Sequence, residues 1–237
     1  MNVYFISGVG ADRRIFRNIR LPEGYHEHHL DWIKPLPRES LQAYAHRLAD
    51  SIDKREPFIL IGLSFGGMLA NEIDKLIPAQ KVILISSVPS SKQLPPWFKL
   101  AGFLNLQNLV PVSFYKSMSI LKRLFTAETA EEKKYLRKAI READSSFIKW
   151  SLNAIVKWRC DSKPKNYVHI QGSRDLILPT VCSGYTHLIK GGGHLMILTQ
   201  AKEINRIIAQ ELSKLAGSQR NRERSTEKEY RAKGGES

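Results

Sequence analysis

The chain has 237 residues, of which 42% are hydrophobic and 25% charged. That composition excludes wholesale disorder, and an α/β chain of this length is expected to form one domain with an insertion. The net charge of +14 invites a nucleic-acid or anionic-surface partner. Yet Lys and Arg are spread through the middle and the tail alike, with no basic-and-aromatic interleaving, so a solvated basic surface and no nucleic acid are expected.

The two cysteines, Cys160 and Cys182, make neither a disulfide framework nor a metal-ligand spacing, and no metal or organic cofactor is expected. The opening MNVYFISGVGADRR lacks the basic and apolar regions of a secretory signal. No apolar run approaches the ~20 residues that cross a bilayer. A cytoplasmic protein, not integral to a membrane, is the expectation.

In chain order, Val3 to Ile6 reads as a buried strand that stops at Gly8 and Gly10. Residues 11–20 can form a short helix, and Tyr25 to Ile33 a second strand closed by Pro35 and Pro37. Leu41, Tyr44, Ala45, Leu48 and Ile52 recur at helical spacing behind a capping Ser40. Phe58 to Ile61 is an apolar strand, followed by Gly62-Leu63-Ser64-Phe65-Gly66-Gly67, a helix to Ile77, and a strand from Val82 to Ile85. Apolar strands alternating with helices predict a parallel sheet covered on both faces.

From about 88 to 163 the alternation breaks into a helical or irregular stretch rich in apolar and aromatic residues. It resumes with a strand from Tyr167 to Ile170, a weak one from Tyr185 to Ile189, and a helix over about 200–215. The expected organisation is a core of 1–87 and 164–216, a helical insertion of 88–163, and a charged, disordered tail of 217–237.

Gly62-Leu63-Ser64-Phe65-Gly66 is a Gly-x-Ser-x-Gly pentapeptide, a weak signal that its strand-turn-helix context strengthens. The glycines leave room for a sharp turn, and the turn puts Ser64 at a helix N-terminus where developing negative charge is favoured. A serine hydroxyl needs a base. Of seven histidines, His26, His28 and His29 lie in the second strand, His46 in a helix, His169 in a strand and His187 in the weak strand. Only His194, after Gly191-Gly192-Gly193, falls on a loop at the carboxyl edge of the sheet, where open α/β sheets bind ligands. Asp175, just after the strand at 167, is placed to hold its tautomer. An oxyanion needs preorganised donors. The N–H of Phe65 is one candidate, and that of Val9, with Gly10 second, is the other. Gly8-Val9-Gly10 with Asp31 also hints at a dinucleotide site, but position 13 is Arg where a third glycine is needed.

These four segments together resemble the α/β-hydrolase family. SGVGADRRIF is similar to its oxyanion loop, GLSFGG to its nucleophile elbow, GSRDLILP to its acid loop and GGGH to its histidine loop, in the family's Ser, Asp, His order. Two departures stand out: Ser7 occupies the place of a His-Gly pair, and the sheet begins at what is usually the third strand. The resemblance implies an α/β fold with a mostly parallel sheet of about six strands flanked by helices, and a lid formed by 88–163. It implies a serine hydrolase with Ser64 as nucleophile, His194 as base and Asp175 as its orienting acid, with Phe65 and Val9 at the oxyanion hole. A small or medium carboxylic ester with an apolar portion is the expected substrate. Thioester, C–C bond or lyase chemistry, a catalytically silent small-molecule binder, and a basic protein for anionic membrane or nucleic acid remain as alternatives.

Overall fold

Strands that are apolar on both faces are stable only under two layers of helix, and the sequence supplies such strands at regular intervals. The computed structural model describes residues 1–104 and 129–234. The remainder of the expected insertion, 105–128, and the last three residues lie outside the described residues. The strands are β1 (Asn2–Ile6), β2 (His26–His29), β3 (Phe58–Leu63), β4 (Lys81–Ile85), β5 (Tyr167–Gly172) and β6 (His187–Ile189). They form one sheet in the order β2-β1-β3-β4-β5-β6, with every pairing parallel. This is the expected α/β-hydrolase sheet of six strands.

The described α-helices are α1 (Leu41–Leu48), α2 (Phe65–Leu76), α3 (Pro96–Phe103), α4 (Ala130–Glu142), α5 (Ser145–Lys157), α6 (Thr180–Ser183), α7 (Met196–Thr199) and α8 (Ala201–Gly234). Alternation along the strands sends Tyr4, Ile6, Leu60 and Leu84 to one face, against Leu41, Tyr44, Leu69 and Ile73 of α1 and α2. The intervening Val3, Phe5, Ile59, Ile61 and Ile83 face Ile204, Ile207, Ile208 and Leu212 of α8. Across that second layer Lys81 of β4 and Glu211 of α8 form a buried ion pair at 2.8 Å.

Three element bounds differ from expectation. The helix expected over 11–20 is a single 3-10 turn, Arg13–Phe16, capped by the Asp12 carboxylate. The second strand is four residues long, because at the sheet edge only β1 is present to pair with it. The final helix does not stop near 215 but continues to Gly234, through the stretch in which disorder was expected. Its apolar stripe still ends at Leu215. The sequence beyond it is rich in Glu, Arg and Lys, has no proline, and offers helix propensity without an apolar stripe.

Within 88–163, α5 is part of the main core. Asp144 caps it, Phe147 and Ile155 are buried against the α1–α2 layer, and Trp158 Nε1 donates to Glu72 Oε1 at 2.6 Å. Among the described residues no helix is long and apolar enough to cross a membrane.

Candidate active site

The chain runs from β1 outward to β2 and then crosses back to β3 on the other side of β1, so the strand order reverses between β1 and β3. Such a reversal opens a crevice at the carboxyl ends of the strands. Ser64 follows β3 directly, and the 7–10 loop follows β1, so both stand at that crevice.

Ser64 holds φ 52° and ψ −116°, a left-handed backbone that side chains other than glycine rarely adopt. The surroundings fix it. Its N–H donates to Ile85 O at 2.9 Å, and its carbonyl accepts from Gly67 N at 2.9 Å and from Ser87 Oγ at 2.6 Å. The two glycines of the pentapeptide are needed for space. A Cβ on Gly62 would lie 2.5 Å from Gly66 O and Gly67 N, and one on Gly66 would overlap the carbonyls of Ile6 and Ser7. The turn therefore packs against β1 with no room for larger residues.

Phe65 is the first residue of α2, so its N–H is among those a helix leaves without an intrahelical carbonyl. Facing it is the loop after β1, where a Cβ on Gly8 would sit 3.4 Å from Ser64 Cβ. That loop is tied by three donors. Ala11 N donates to Gly8 O at 3.0 Å, while Ser7 Oγ and Trp32 Nε1 both donate to Ala11 O, at 3.0 and 2.7 Å. Ser7, the departure from the family pattern, thus braces the loop. Val9 packs against the α1–α2 side of the core.

His194, on the turn between β6 and α7, has Nε2 3.0 Å from Ser64 Oγ and Nδ1 2.8 Å from Asp175 Oδ2. Both His194 and Asp175 are buried. A carboxylate can only accept, so the Nδ1 of His194 carries the proton and Nε2 presents its lone pair to the serine hydroxyl. Burial pushes the Asp175 carboxyl up. The His194 ring and the N–H groups of Leu178 and Ile177 more than offset it, holding the group below the usual carboxylate range.

Residues 3–207 match the model of the Alpha/beta hydrolase family. The chain belongs to that family. Solved structures with the same fold include an esterase from Thermogutta terrifontis with malate bound. It is 18% identical, with a TM-score of 0.69 over 91% of this chain and 90% of that one. MenH from S. aureus is 16% identical, with a TM-score of 0.71 over 91% and 94%. A lipase-esterase related protein from Clostridium acetobutylicum ATCC 824 is 18% identical, with a TM-score of 0.65 over 87% and 92%. No curated protein matches this chain.

In this alpha/beta hydrolase the structure brings Ser64, Asp175 and His194 into one hydrogen-bonded chain, with Phe65 and the 7–10 loop beside the serine. Apart from His169, the other histidines lie elsewhere in the fold. His26 and His28 are exposed on the edge strand, His29 bonds Glu27 at 2.7 Å, and His187 lies 3.5 Å from Glu211. Arg13, where a dinucleotide loop needs glycine, forms an ion pair with Asp31.

Two side chains of the site were not singled out from sequence. Gln171 and His169 project from β5 behind Asp175, and both are buried. The signal was present in Tyr-Val-His-Ile-Gln-Gly: two polar residues alternate on one face of an otherwise apolar interior strand, and buried polar groups need partners. An aromatic cluster in the core around Phe65 was also not assembled from sequence. The Trp32 and Trp150 rings each lie 5.9 Å from that of Phe65, and the Trp32 and Phe147 rings are 4.8 Å apart.

Proposed function

We propose that this alpha/beta hydrolase cleaves a small or medium carboxylic ester through an acyl-enzyme on Ser64. The observation that carries the reading is the continuous pair of contacts from Ser64 Oγ to His194 Nε2 and from His194 Nδ1 to Asp175 Oδ2.

His194 Nε2 takes the hydroxyl proton as Ser64 Oγ attacks the ester carbonyl. Asp175 keeps the ring in the required tautomer and stabilises the imidazolium. The carbonyl oxygen becomes an oxyanion that receives the N–H groups of Phe65 and Val9, donors already aimed before charge develops. Collapse of the tetrahedral adduct breaks the bond to the alcohol oxygen, which leaves with the proton from His194. Water then repeats the sequence, giving its proton to His194 and its oxygen to the acyl carbon, and frees Ser64. The esterases among the structural neighbours support ester cleavage. Within 88–163, the part that precedes α5 is the proposed lid, since α5 packs in the core.

Labelling by a fluorophosphonate probe tests the reading. The wild type is expected to be labelled, and Ser64→Ala and His194→Ala are expected not to be. A screen of p-nitrophenyl esters of rising acyl length then defines the pocket. A folded wild type that neither labels nor turns over any activated ester would point to a silent binder.

A further inference from the structure

Asp175 is held by more partners than the contact to His194 requires. Its Oδ1 accepts from the N–H groups of Ile177 and Leu178, each at 2.9 Å. Its Oδ2 accepts from His194 Nδ1 at 2.8 Å and, on the same oxygen, from Gln171 Nε2 at 2.9 Å. Gln171 is fully buried, and its Nε2 also donates to Leu178 O at 2.6 Å. Both amide hydrogens are committed, so Gln171 Oε1 is left to accept, and it lies 3.1 Å from His169 Nε2. The ring nitrogen facing it must then carry the proton.

An amide has two ends of nearly equal size, and the wrong end here would be costly. Turned over, Gln171 would aim its oxygen at the Asp175 carboxylate and at Leu178 O, with no proton among the three. The N–H of His169 favours the orientation that avoids this. Burial pushes the His169 ring down to about 4, against the opposing pull of the Gln171 oxygen and the Ser87 carbonyl. His169 is therefore neutral near pH 7 with a single N–H, which goes to Gln171 Oε1 because both Gln171 amide hydrogens are already committed. The titratable groups facing the pair are Asp175 and His194, with Lys163 acting on His169 at longer range.

We propose that Gln171, its amide oriented by His169, is a positioning residue for the Asp175–His194 pair. It holds the carboxylate oxygen that His194 uses and limits the basicity of that oxygen. The inference rests on the reading that Ser64, His194 and Asp175 form the catalytic centre. Its chemistry follows from sharing: an oxygen that accepts two N–H donors concentrates less charge on either one. Without Gln171 the carboxylate pulls harder on the His194 proton, the imidazolium gains stability, and the ring stays protonated to higher pH.

The test is an NMR titration of the His194 ring in the full-length protein, for wild type, Gln171→Met and His169→Phe, with fluorophosphonate labelling rates on the same samples. In Gln171→Met the ring midpoint is expected to rise by about 0.5–1 pH unit. Labelling below that midpoint should then slow up to about tenfold, because less of the base is free. His169→Phe should shift the midpoint the same way by roughly half as much, since the amide stays but loses its orienting donor. A merely structural role would lower the melting temperature and leave the midpoint in place, and a folded Gln171→Met with the wild-type midpoint overturns the proposal. If that variant does not fold, an unshifted midpoint in His169→Phe overturns it. The midpoint is read on the ring itself, so a wild type that fails to label would count against the hydrolase reading alone.

Discussion

Ser64 and Asp175 stand at the ends of strands of one sheet, yet the protein holds them by different means. Ser64 is fixed by its backbone: a left-handed turn, two glycines with no space for a Cβ, and main-chain bonds to β4 and α2. Asp175 is fixed by its side chain, whose two oxygens accept four N–H donors from Gln171, Ile177, Leu178 and His194. The difference matches the roles proposed for the two groups. A nucleophile has to be presented without being buried in bonds, so the constraint lies in the chain behind it. An orienting carboxylate has to stay ionised away from water, so the constraint lies in the donors around it.

Three experiments would break or sharpen this contrast, the largest effect first. Asp175→Asn keeps the shape but sets an amide N–H or an uncharged oxygen against His194 Nδ1. The labelling rate is expected to fall by about 10³–10⁴-fold through loss of the right tautomer, while the folded structure, followed by circular dichroism, persists. A loss below tenfold would show that another carboxylate supports His194. Gly66→Ala attacks the other half through the overlap with Ile6 and Ser7. It should cost about 3 kcal/mol or more in urea denaturation, and a cost under ~1 kcal/mol would show that β1 can give way.

The smallest effect separates the halves by acid. The Asp175 carboxyl is lowered in the folded protein. Its contribution to stability is therefore present above the ordinary carboxylate value, about 3.9, and is lost as pH falls through the lower folded value. Hydrogen exchange at falling pH should deprotect the Ile177 and Leu178 amides, which rest on that carboxylate, before the Gly67 amide, which rests on the Ser64 carbonyl. Simultaneous loss would mean the two halves open as one unit.

The same contrast governs how much was legible in the sequence. Gly62, Ser64 and Gly66 could be read because a backbone constraint leaves a mark at fixed spacing. Asp175 and His194 could be read because they follow strands in a recognisable order. The interior strands β1, β3 and β4 were visible as apolar runs, since burial on both faces removes the polar alternation. Gln171 and His169 fit no short pattern. Their role depends on where Asp175 lies in space, and only their alternation within a buried strand hinted at it. The length of α8 was missed for a different reason: beyond Leu215 there is no apolar stripe to read, and propensity alone is a weak guide.

The pairing of β4 with β5 has a consequence for how this protein can change. The chain leaves the sheet after Ile85 and re-enters at Tyr167 on the adjacent strand, with Val82 and Tyr167 in register. The two anchor points are fixed by the sheet, so the excursion between them closes a loop whose entropic cost grows only logarithmically with its length. Doubling it costs about 0.6 kcal/mol. Part of that excursion is not free to vary, because Phe147 and Trp158 sit in the core and Trp158 bonds Glu72. α4 is tied down as well, since Tyr135 packs against the α8 side of the core and Glu142 pairs with Arg14. With the part of the excursion before α5 as the proposed lid, a change in its length would weigh little on the sheet that carries Ser64.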